Sequence, residues 1–122
     1  MGANVADFTV IEDRVFTLDS SPNADPTTRE FNFRGGFLRD LEGILTFVVN
    51  ESDNLRLHIR INRTEVVDAN IANGTFPRTI QEVFSMRTVD LNPVGTQVAS
   101  FTADRGRGSI SDVIVWYRRN SE

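Results

Sequence analysis

The sequence contains no cysteine and no lysine, and it has only one histidine, one tryptophan and one tyrosine. The absence of cysteine excludes disulfides, thiolate zinc sites and cysteine nucleophiles. A single histidine excludes a metal site built from several histidines. All 13 basic residues are arginine. This bias either reflects genomic base composition or favours planar, two-pronged contacts at surfaces and interfaces.

Long apolar runs and blocks of like charge are also missing. No apolar stretch approaches the roughly 20 residues that a membrane-spanning helix requires, so membrane insertion is not expected. The net charge is −4, and binding of nucleic acid through a broad basic surface is not expected either. The first residues lack the basic start and apolar stretch of a signal peptide. The sequence thus predicts either a cytoplasmic protein or an extracellular one whose signal has been removed.

What the sequence does contain is alternation between apolar and polar side chains. In the segment 55–61, four leucine and isoleucine residues alternate with Arg56, His58 and Arg60. Successive side chains of a β-strand point to opposite faces, so this pattern predicts a half-buried strand and not a helix. Similar segments recur along the chain between turns rich in glycine, proline and asparagine.

The 122 residues fit one domain. We predict that 1–122 form an all-β, antiparallel, jelly-roll-like β-sandwich of about eight or nine strands. The segments 44–49 and 55–62 are predicted to form a hairpin through the polar residues 50–54, followed by a tight turn at 62–64. A second hairpin is predicted around 104–108, and Thr79–Leu91 is expected to form one long strand.

The core is expected to consist of large apolar side chains on the inward faces of these strands. Burying each of them contributes about 1.5–3 kcal/mol. The expected core residues are Phe31, Phe33, Phe47, Leu57, Ile59, Phe84, Phe101, Val113 and Val115.

The second half of the chain resembles the back half of jelly-roll carbohydrate-binding modules and related lectin-like domains. In those domains, a strand of the form Leu-x-Leu-x-Ile-x-Ile-Asn precedes a turn of the Leu-Asn-Pro-x-Gly type and a closing strand that ends in aromatic residues. The matching segments here are Leu55–Asn62, Leu91–Gly95, Val98–Thr102 and Ile110–Tyr117. The resemblance implies a β-sandwich that binds carbohydrate without catalytic machinery.

Trp116 is the first candidate ligand-binding residue. If Val113 and Val115 face the core, Tyr117 shares their face and Trp116 points outward. An outward tryptophan can stack on a sugar ring or pack against another subunit. The alternative is a central strand whose two faces are both covered.

The charged face of the strand 55–61 is the second candidate. Arg56, His58 and Arg60 lie about 7 Å apart along this face. They offer arginine forks for a carboxylate, a phosphate or a sulfated sugar. The alternative is pairing with acidic residues of neighbouring strands. A catalytic triad around His58 is not expected, because no nucleophile-elbow motif is present.

An oxygen-rich polar segment is the third candidate. Asn50, Glu51 and Asp53 offer oxygen atoms of the kind that calcium binds, so calcium is the one cofactor considered. Asparagine and aspartate are also common turn formers, which is the alternative explanation.

The glycine-rich segment 104–108 is the fourth candidate. Its glycines let the backbone approach a ligand, and Asp104, Arg105 and Arg107 provide charged groups that reach one. The alternative is a hairpin tip with solvated charges. The glycine spacing does not match a phosphate-binding P-loop.

Three classes of function remain. The first is non-catalytic binding of carbohydrate through shallow loops bearing Asn, Asp and Arg. The second is a self-associating structural subunit, a homo-oligomer in a filament, lattice or capsid-like assembly, with Ile114 and Trp116 at interfaces. The third is an enzyme, which is not expected, since paired carboxylates for glycoside hydrolysis cannot be placed from the sequence.

Overall fold

The computed structural model of the protein describes residues 4–21, 26–92 and 95–120. These residues form antiparallel β-strands, which confirms the predicted all-β class, and none of them belongs to a helix that could cross a membrane. The strands are β1 (Asn4–Glu12), β2 (Phe16–Asp19), β3 (Thr27–Phe31), β4 (Glu42–Ile61), β5 (Thr64–Asn70), β6 (Arg78–Ser85) and β7 (Gln97–Asn120).

Two long strands, β4 and β7, organise the fold. They pair with each other from Ile44 opposite Trp116 to Ile61 opposite Ala99. The free edge of β4 pairs first with β6 and then with β5. The free edge of β7 pairs in turn with β3, β2 and β1. The pairing therefore contains two four-stranded halves, β1-β7-β4-β6 and β3-β7-β4-β5, which share the long strands, and β2 pairs with the middle of β7 between them.

The two halves meet where both long strands bend. Asn54 of β4 and Gly106 of β7 adopt positive φ angles of 54° and 70°. A Cβ added at Gly106 would lie 2.2 Å from the carbonyl oxygen of Asn54, so the two backbones touch at this point. Register shifts in β4 flank Asn54. Bends and bulges of this kind form the corners at which strands pass from one sheet of a sandwich to the other.

This bend explains why two predicted hairpins are wrong. The segments 44–49 and 55–61 belong to one strand, because residues 51–53 continue to pair with β7 and the chain does not leave the sheet. The segment 104–108 likewise lies inside β7 and not at a hairpin tip. Residues with turn-forming character bend these strands without ending them. The described residues therefore contain seven strands where eight or nine were expected.

Other predicted boundaries vary in accuracy. The tight turn at 62–64 is present, because Ile61 pairs with Thr64 across it. The strand predicted for Thr79–Leu91 is shorter and ends at Ser85, where a turn begins. The predicted turn at 92–95 contains two residues, 93 and 94, that lie outside the described residues.

Inward side chains from both halves form one hydrophobic core. The predicted core residues are buried, except Phe33, which is partly buried against the same core. Phe47 and Phe101 are the largest fully buried side chains. The Phe33 ring lies 4.7 Å from the Tyr117 ring and 4.8 Å from the Phe37 ring, measured between centroids. A core enclosed between two halves confirms the predicted β-sandwich.

Candidate functional site

An open groove of about 930 Å³ lies at the bend. Its floor is formed by β2 and the bent middle parts of β7 and β4, which lie side by side. One wall is the loop between β5 and β6, from which residues 73–76 line the groove. The volume falls in the range of pockets that hold small molecules.

Three charged side chains form a row across the groove floor. Arg107 of β7 lies directly opposite Asp19 of β2 on one side and Asp53 of β4 on the other. Residues opposed in this way project from the same face, and all three are exposed. Glu51 also lines the groove. None of these four residues forms an ion pair with another described residue.

The wall of the groove is fastened to the floor by Arg78. Ser52 and Gly74 exchange two backbone hydrogen bonds, of 2.9 and 3.2 Å. The Nη2 atom of Arg78 donates to Ser52 Oγ and to the carbonyl oxygen of Ala72, and its Nη1 atom donates to the carbonyl oxygen of Phe76. The guanidinium carbon also lies 5.8 Å from the centroid of the Phe76 ring, where a cation attracts an aromatic face. These contacts hold the loop in one position.

Phe76 is the most exposed large apolar side chain among the described residues, at 65%. An aromatic ring held in place beside hydrogen-bonding groups offers a face on which a ligand can stack. Sequence reasoning missed Phe76, because residues 69–79 show only turn signals and no strand periodicity. The one available signal was an aromatic residue beside Pro77 in an otherwise polar loop.

The structure brings three of the predicted site residues into the groove, namely Glu51, Asp53 and Arg107. Asn50 does not join them, because it lies outside the lining and its amide donates to Ser111 Oγ at 2.9 Å. The predicted calcium ligands are therefore only partly gathered. Arg107 projects from a continuous strand and not from a hairpin tip.

The second predicted site, the charged face of β4, lies on the other side of the bend. Arg56 Nη2 is 2.8 Å from Asp68 Oδ1, and Arg56 Nε is 3.9 Å from Asp104 Oδ2. His58 Nδ1 contacts Glu65 Oε1, while His58 Nε2 lies 3.7 Å from Asp68 and 3.8 Å from Asp104. We call these five residues the paired stripe. Its arginine and its histidine already contact carboxylates of the neighbouring strands.

The paired stripe also contains the one set of three clustered metal-binding side chains found in the described part of the chain, His58, Glu65 and Asp68. Arg56 forms an ion pair with Asp68 and His58 contacts Glu65, so contacts within the protein account for the cluster. Arg60 and Arg105, the two other predicted site residues near the stripe, differ in their contacts. Arg60 is exposed and forms no ion pair with a described residue, whereas Arg105 donates to Asn70 Oδ1 at 2.9 Å.

Trp116 lies outside the groove, on the outer face of the half β1-β7-β4-β6. It is 39% exposed while Tyr117 is 3% exposed, so the predicted facing of the two residues is confirmed. Its Nε1 atom donates to Thr46 Oγ1 at 2.9 Å, and its ring centroid lies 5.2 Å from that of Phe8. The indole is thus held in a fixed orientation.

Two carboxylates elsewhere show how pairing affects an acid in this protein. The Arg29 side chain and the Arg14 backbone N–H donate to Glu12 and lower its pKa to about 2, although burial opposes this. The Arg119 side chain, with the backbone N–H of Phe8, holds the pKa of Asp7 below its usual value. Neither acid lines the groove.

Comparison with known proteins establishes the fold. No family model and no curated protein matches the sequence. Over 99% of its length, the chain is similar to 22% of a β-porphyranase of glycoside hydrolase family 86 from the human gut bacterium Bacteroides plebeius, with a TM-score of 0.69 and 13% identity. The chain thus spans about a fifth of that enzyme.

Two further likenesses have lower TM-scores. One is to a structure of infectious bursal disease virus Gt strain, with a TM-score of 0.47, 13% identity and 95% of this chain covered against 32% of that chain. The other is to a structure described as "CBM4 structure and function", with a TM-score of 0.45, 11% identity and 89% covered against 88%. The protein is an antiparallel β-sandwich whose fold recurs within a glycoside hydrolase, which confirms the predicted likeness at the level of fold.

Proposed function

We propose that the protein is a non-catalytic carbohydrate-binding module whose ligand lies in the groove at the bend. The observation that carries the proposal is the exposed Phe76 ring, which Arg78 holds beside the open row of Asp19, Arg107 and Asp53. Asp19 accepts one hydrogen bond from the Ser21 backbone N–H at 3.0 Å, and the row forms no ion pair with a described residue. A stacking surface next to such charged hydrogen-bonding groups suits a sugar.

The chemistry of a sugar matches both parts of the groove. A pyranose has an apolar face of C–H groups, which packs on an aromatic ring, and hydroxyls around its edge. Carboxylates accept hydrogen bonds from those hydroxyls and a guanidinium donates to them. The recurrence of the fold within a glycoside hydrolase agrees with this function.

The proposal is tested by affinity electrophoresis through gels that contain single polysaccharides, followed by calorimetric titration. We expect at least one glycan to retard the protein, and Phe76→Ala to abolish the retardation without changing the circular dichroism spectrum or the melting temperature. Val15→Ala is the matched control, because Val15 is also highly exposed, at 61%, and lies outside the groove. Absence of retardation by any glycan, or full retention in Phe76→Ala, would contradict the proposal.

The non-catalytic part of the proposal has a separate test. The same glycans are incubated with the protein, and the release of reducing ends is measured over a day. We expect no release above the background of a heat-denatured sample. Release that disappears in Asp53→Asn would instead assign the groove to a glycosidase with paired carboxylates.

One other surface favours a second function, self-association. Phe8, Trp116, Ile44 and Val83 form a continuous row across β1, β7, β4 and β6. Phe8 is 48% exposed and Val83 is 51% exposed. Apolar rows of this kind across an outer sheet face are found where subunits meet.

Light scattering on a size-exclusion column tests this second function over a hundredfold range of protein concentration. A homo-oligomer that becomes monomeric in Val83→Glu, but not in the exposed control Val15→Glu, would support it. A monomer at every concentration would exclude this face as an interface between copies.

A further inference from the structure

The groove floor contains more negative than positive side chains. Asp19, Glu51 and Asp53 are negative, and Arg107 is the one positive side chain in the described lining. Arg78 adds a second positive charge where it donates to Ser52, which reduces the imbalance without removing it, because three carboxylates then face two guanidinium groups. The floor therefore has an excess of negative charge.

The order of hydrogen-bond donors and acceptors across the floor also limits which ligands can bind. Asp19, Arg107 and Asp53 lie on three adjacent strands, so they present an acceptor, a donor and an acceptor over about 10 Å. A hydroxyl both donates and accepts hydrogen bonds, so a row of sugar hydroxyls can satisfy all three side chains. A sulfate or an ionised carboxylate only accepts, and it can satisfy Arg107 alone.

An anionic substituent in the groove also faces like charge. Asp19 and Asp53 flank Arg107 on both sides, so an anion that binds this arginine comes near two carboxylates. Neither carboxylate is neutralised by an ion pair with a described residue, so their charges act on the ligand. Negative charges placed against an incoming anion are a common means of excluding a ligand.

We infer that the groove takes neutral, polyhydroxylated glycans and rejects sulfated and uronic-acid glycans. This inference rests on the proposed carbohydrate-binding function and adds the chemical class of the ligand. Phe76 supplies stacking, which does not depend on ligand charge, and the Asp19–Arg107–Asp53 row supplies the discrimination.

The first experiment compares neutral and anionic polysaccharides as gel additives. The neutral set is agarose, arabinoxylan, mixed-linkage β-glucan and galactomannan, and the anionic set is κ-carrageenan, alginate and heparin. We expect retardation by at least one neutral glycan and by no anionic glycan. We also expect binding that changes less than twofold between 20 mM and 500 mM NaCl, because no ligand charge is present to be screened.

The second experiment uses the sign of two substitutions measured with the glycan that binds best. For a neutral ligand, Asp53→Asn and Arg107→Gln both weaken binding, by about tenfold each, because each removes a charged hydrogen-bonding partner. For an anionic ligand the two would act in opposite directions, since Asp53→Asn would remove repulsion. Asp68→Asn and Arg60→Gln, which lie beyond the bend and outside the groove lining, serve as matched controls and are expected to leave binding unchanged.

The outcomes separate this inference from the proposed function. Stronger retardation by an anionic glycan, or tighter binding in Asp53→Asn, overturns the inference and leaves the carbohydrate-binding function in place. Absence of retardation by all seven glycans in the presence of a folded protein overturns both. Retention by neutral glycans alone, with both substitutions weakening it, supports both.

Discussion

The groove floor and the paired stripe are built from the same parts and differ in one respect. Both combine arginine with carboxylates on three adjacent strands that include β4 and β7, and they lie on opposite sides of the bend at Asn54 and Gly106. In the paired stripe, Arg56 and His58 face carboxylates at close range. In the groove, Arg107 lies opposite Asp19 and Asp53 and forms an ion pair with neither.

This difference separates charges that serve the fold from charges that can serve a ligand. A paired arginine has its hydrogen-bonding capacity largely used, so a ligand must first displace a carboxylate. An open row beside an aromatic ring needs no such displacement. Charged residues in an alternating strand are therefore weak signs of a binding site until their partners are known.

The largest expected effect comes from disrupting the bend that separates the groove floor from the paired stripe. Gly106→Ala places a Cβ 2.2 Å from the Asn54 carbonyl oxygen at a φ of 70°. We expect the free energy of unfolding to fall by about 3 kcal/mol or more, because the clash is with backbone and the conformation disfavours alanine. Urea denaturation measures the loss of stability. Because the bend positions both regions, we expect glycan binding to the groove and the ion pairs of the paired stripe to be weakened together.

Gly35→Ala is the matched control for the bend. A Cβ at Gly35 meets nothing within 4 Å, and we expect its free energy of unfolding to stay within about 0.5 kcal/mol of the wild-type value. Equal stability of the two variants would show that the strands do not need the close approach at Gly106.

The next largest effect is expected from a substitution whose structural change is confined to the groove wall. Arg78→Ala removes the contacts that hold the wall to Ser52, Ala72 and Phe76. We expect a loss of about 2 kcal/mol in stability and loss of glycan binding, because Phe76 is no longer fixed. Hydrogen exchange should increase in residues 72–77 and stay unchanged in the paired stripe.

Arg87→Ala is the control for this change. Arg87 is exposed and lies 3.8 Å from Asp40, an arrangement that contributes little. Arg78→Lys is expected to behave like Arg78→Ala, since an ammonium group cannot reproduce the two-pronged contact. Full binding in Arg78→Ala would remove the wall from the proposed site.

The third expected effect is a dependence of stability on pH, which arises from the hydrogen-bonded carboxylate of Glu12. The folded pKa of Glu12 is about 2 and its ordinary value is 4.5, so the unfolded chain binds the proton first as the pH falls. The stability supplied by Glu12 is therefore fully present above about pH 4.5 and is lost progressively down to about pH 2. Urea denaturation at a series of pH values measures this slope.

Substitution identifies the source of that slope. Glu12→Gln should flatten the stability curve between about pH 4.5 and pH 2 and should lower stability at neutral pH by about 1–2 kcal/mol. Asp13→Asn, an exposed neighbour, is the control and should leave the curve unchanged. An unchanged slope in Glu12→Gln would assign the acid sensitivity to other carboxylates.

The sequence predicted which side chains point into the core better than it predicted where strands begin and end. Alternation placed Leu57 and Ile59 inside and Trp116 outside, because the two-residue period of a strand is a local property. The segments 50–54 and 104–108 were misassigned because a turn and a bend both use residues that tolerate positive φ. The pairing of β4 with β7 decides between them, and it joins residues far apart in sequence.

The same limit applied to the candidate site. Glu51, Asp53 and Arg107 could be named from the sequence, but their meeting depends on the bend. Phe76 could not be named, because its exposure and orientation depend on the contact between Arg78 and Ser52, 26 residues apart. Sequence patterns report which residues carry useful chemistry and not which of them lack a partner.

The smallest expected effect tests the paired stripe directly. Arg56→Ala removes the contacts with Asp68 and Asp104, which are 42% and 64% exposed at the side chain. Because solvent screens such pairs, we expect a loss of only about 0.5–1 kcal/mol in the free energy of unfolding and no change in glycan affinity. Arg60→Ala, on the same face without an ion pair to a described residue, should change neither quantity. Loss of binding in Arg56→Ala with a folded protein would place the ligand on the stripe, because only a direct contact could make so small a structural change matter to binding.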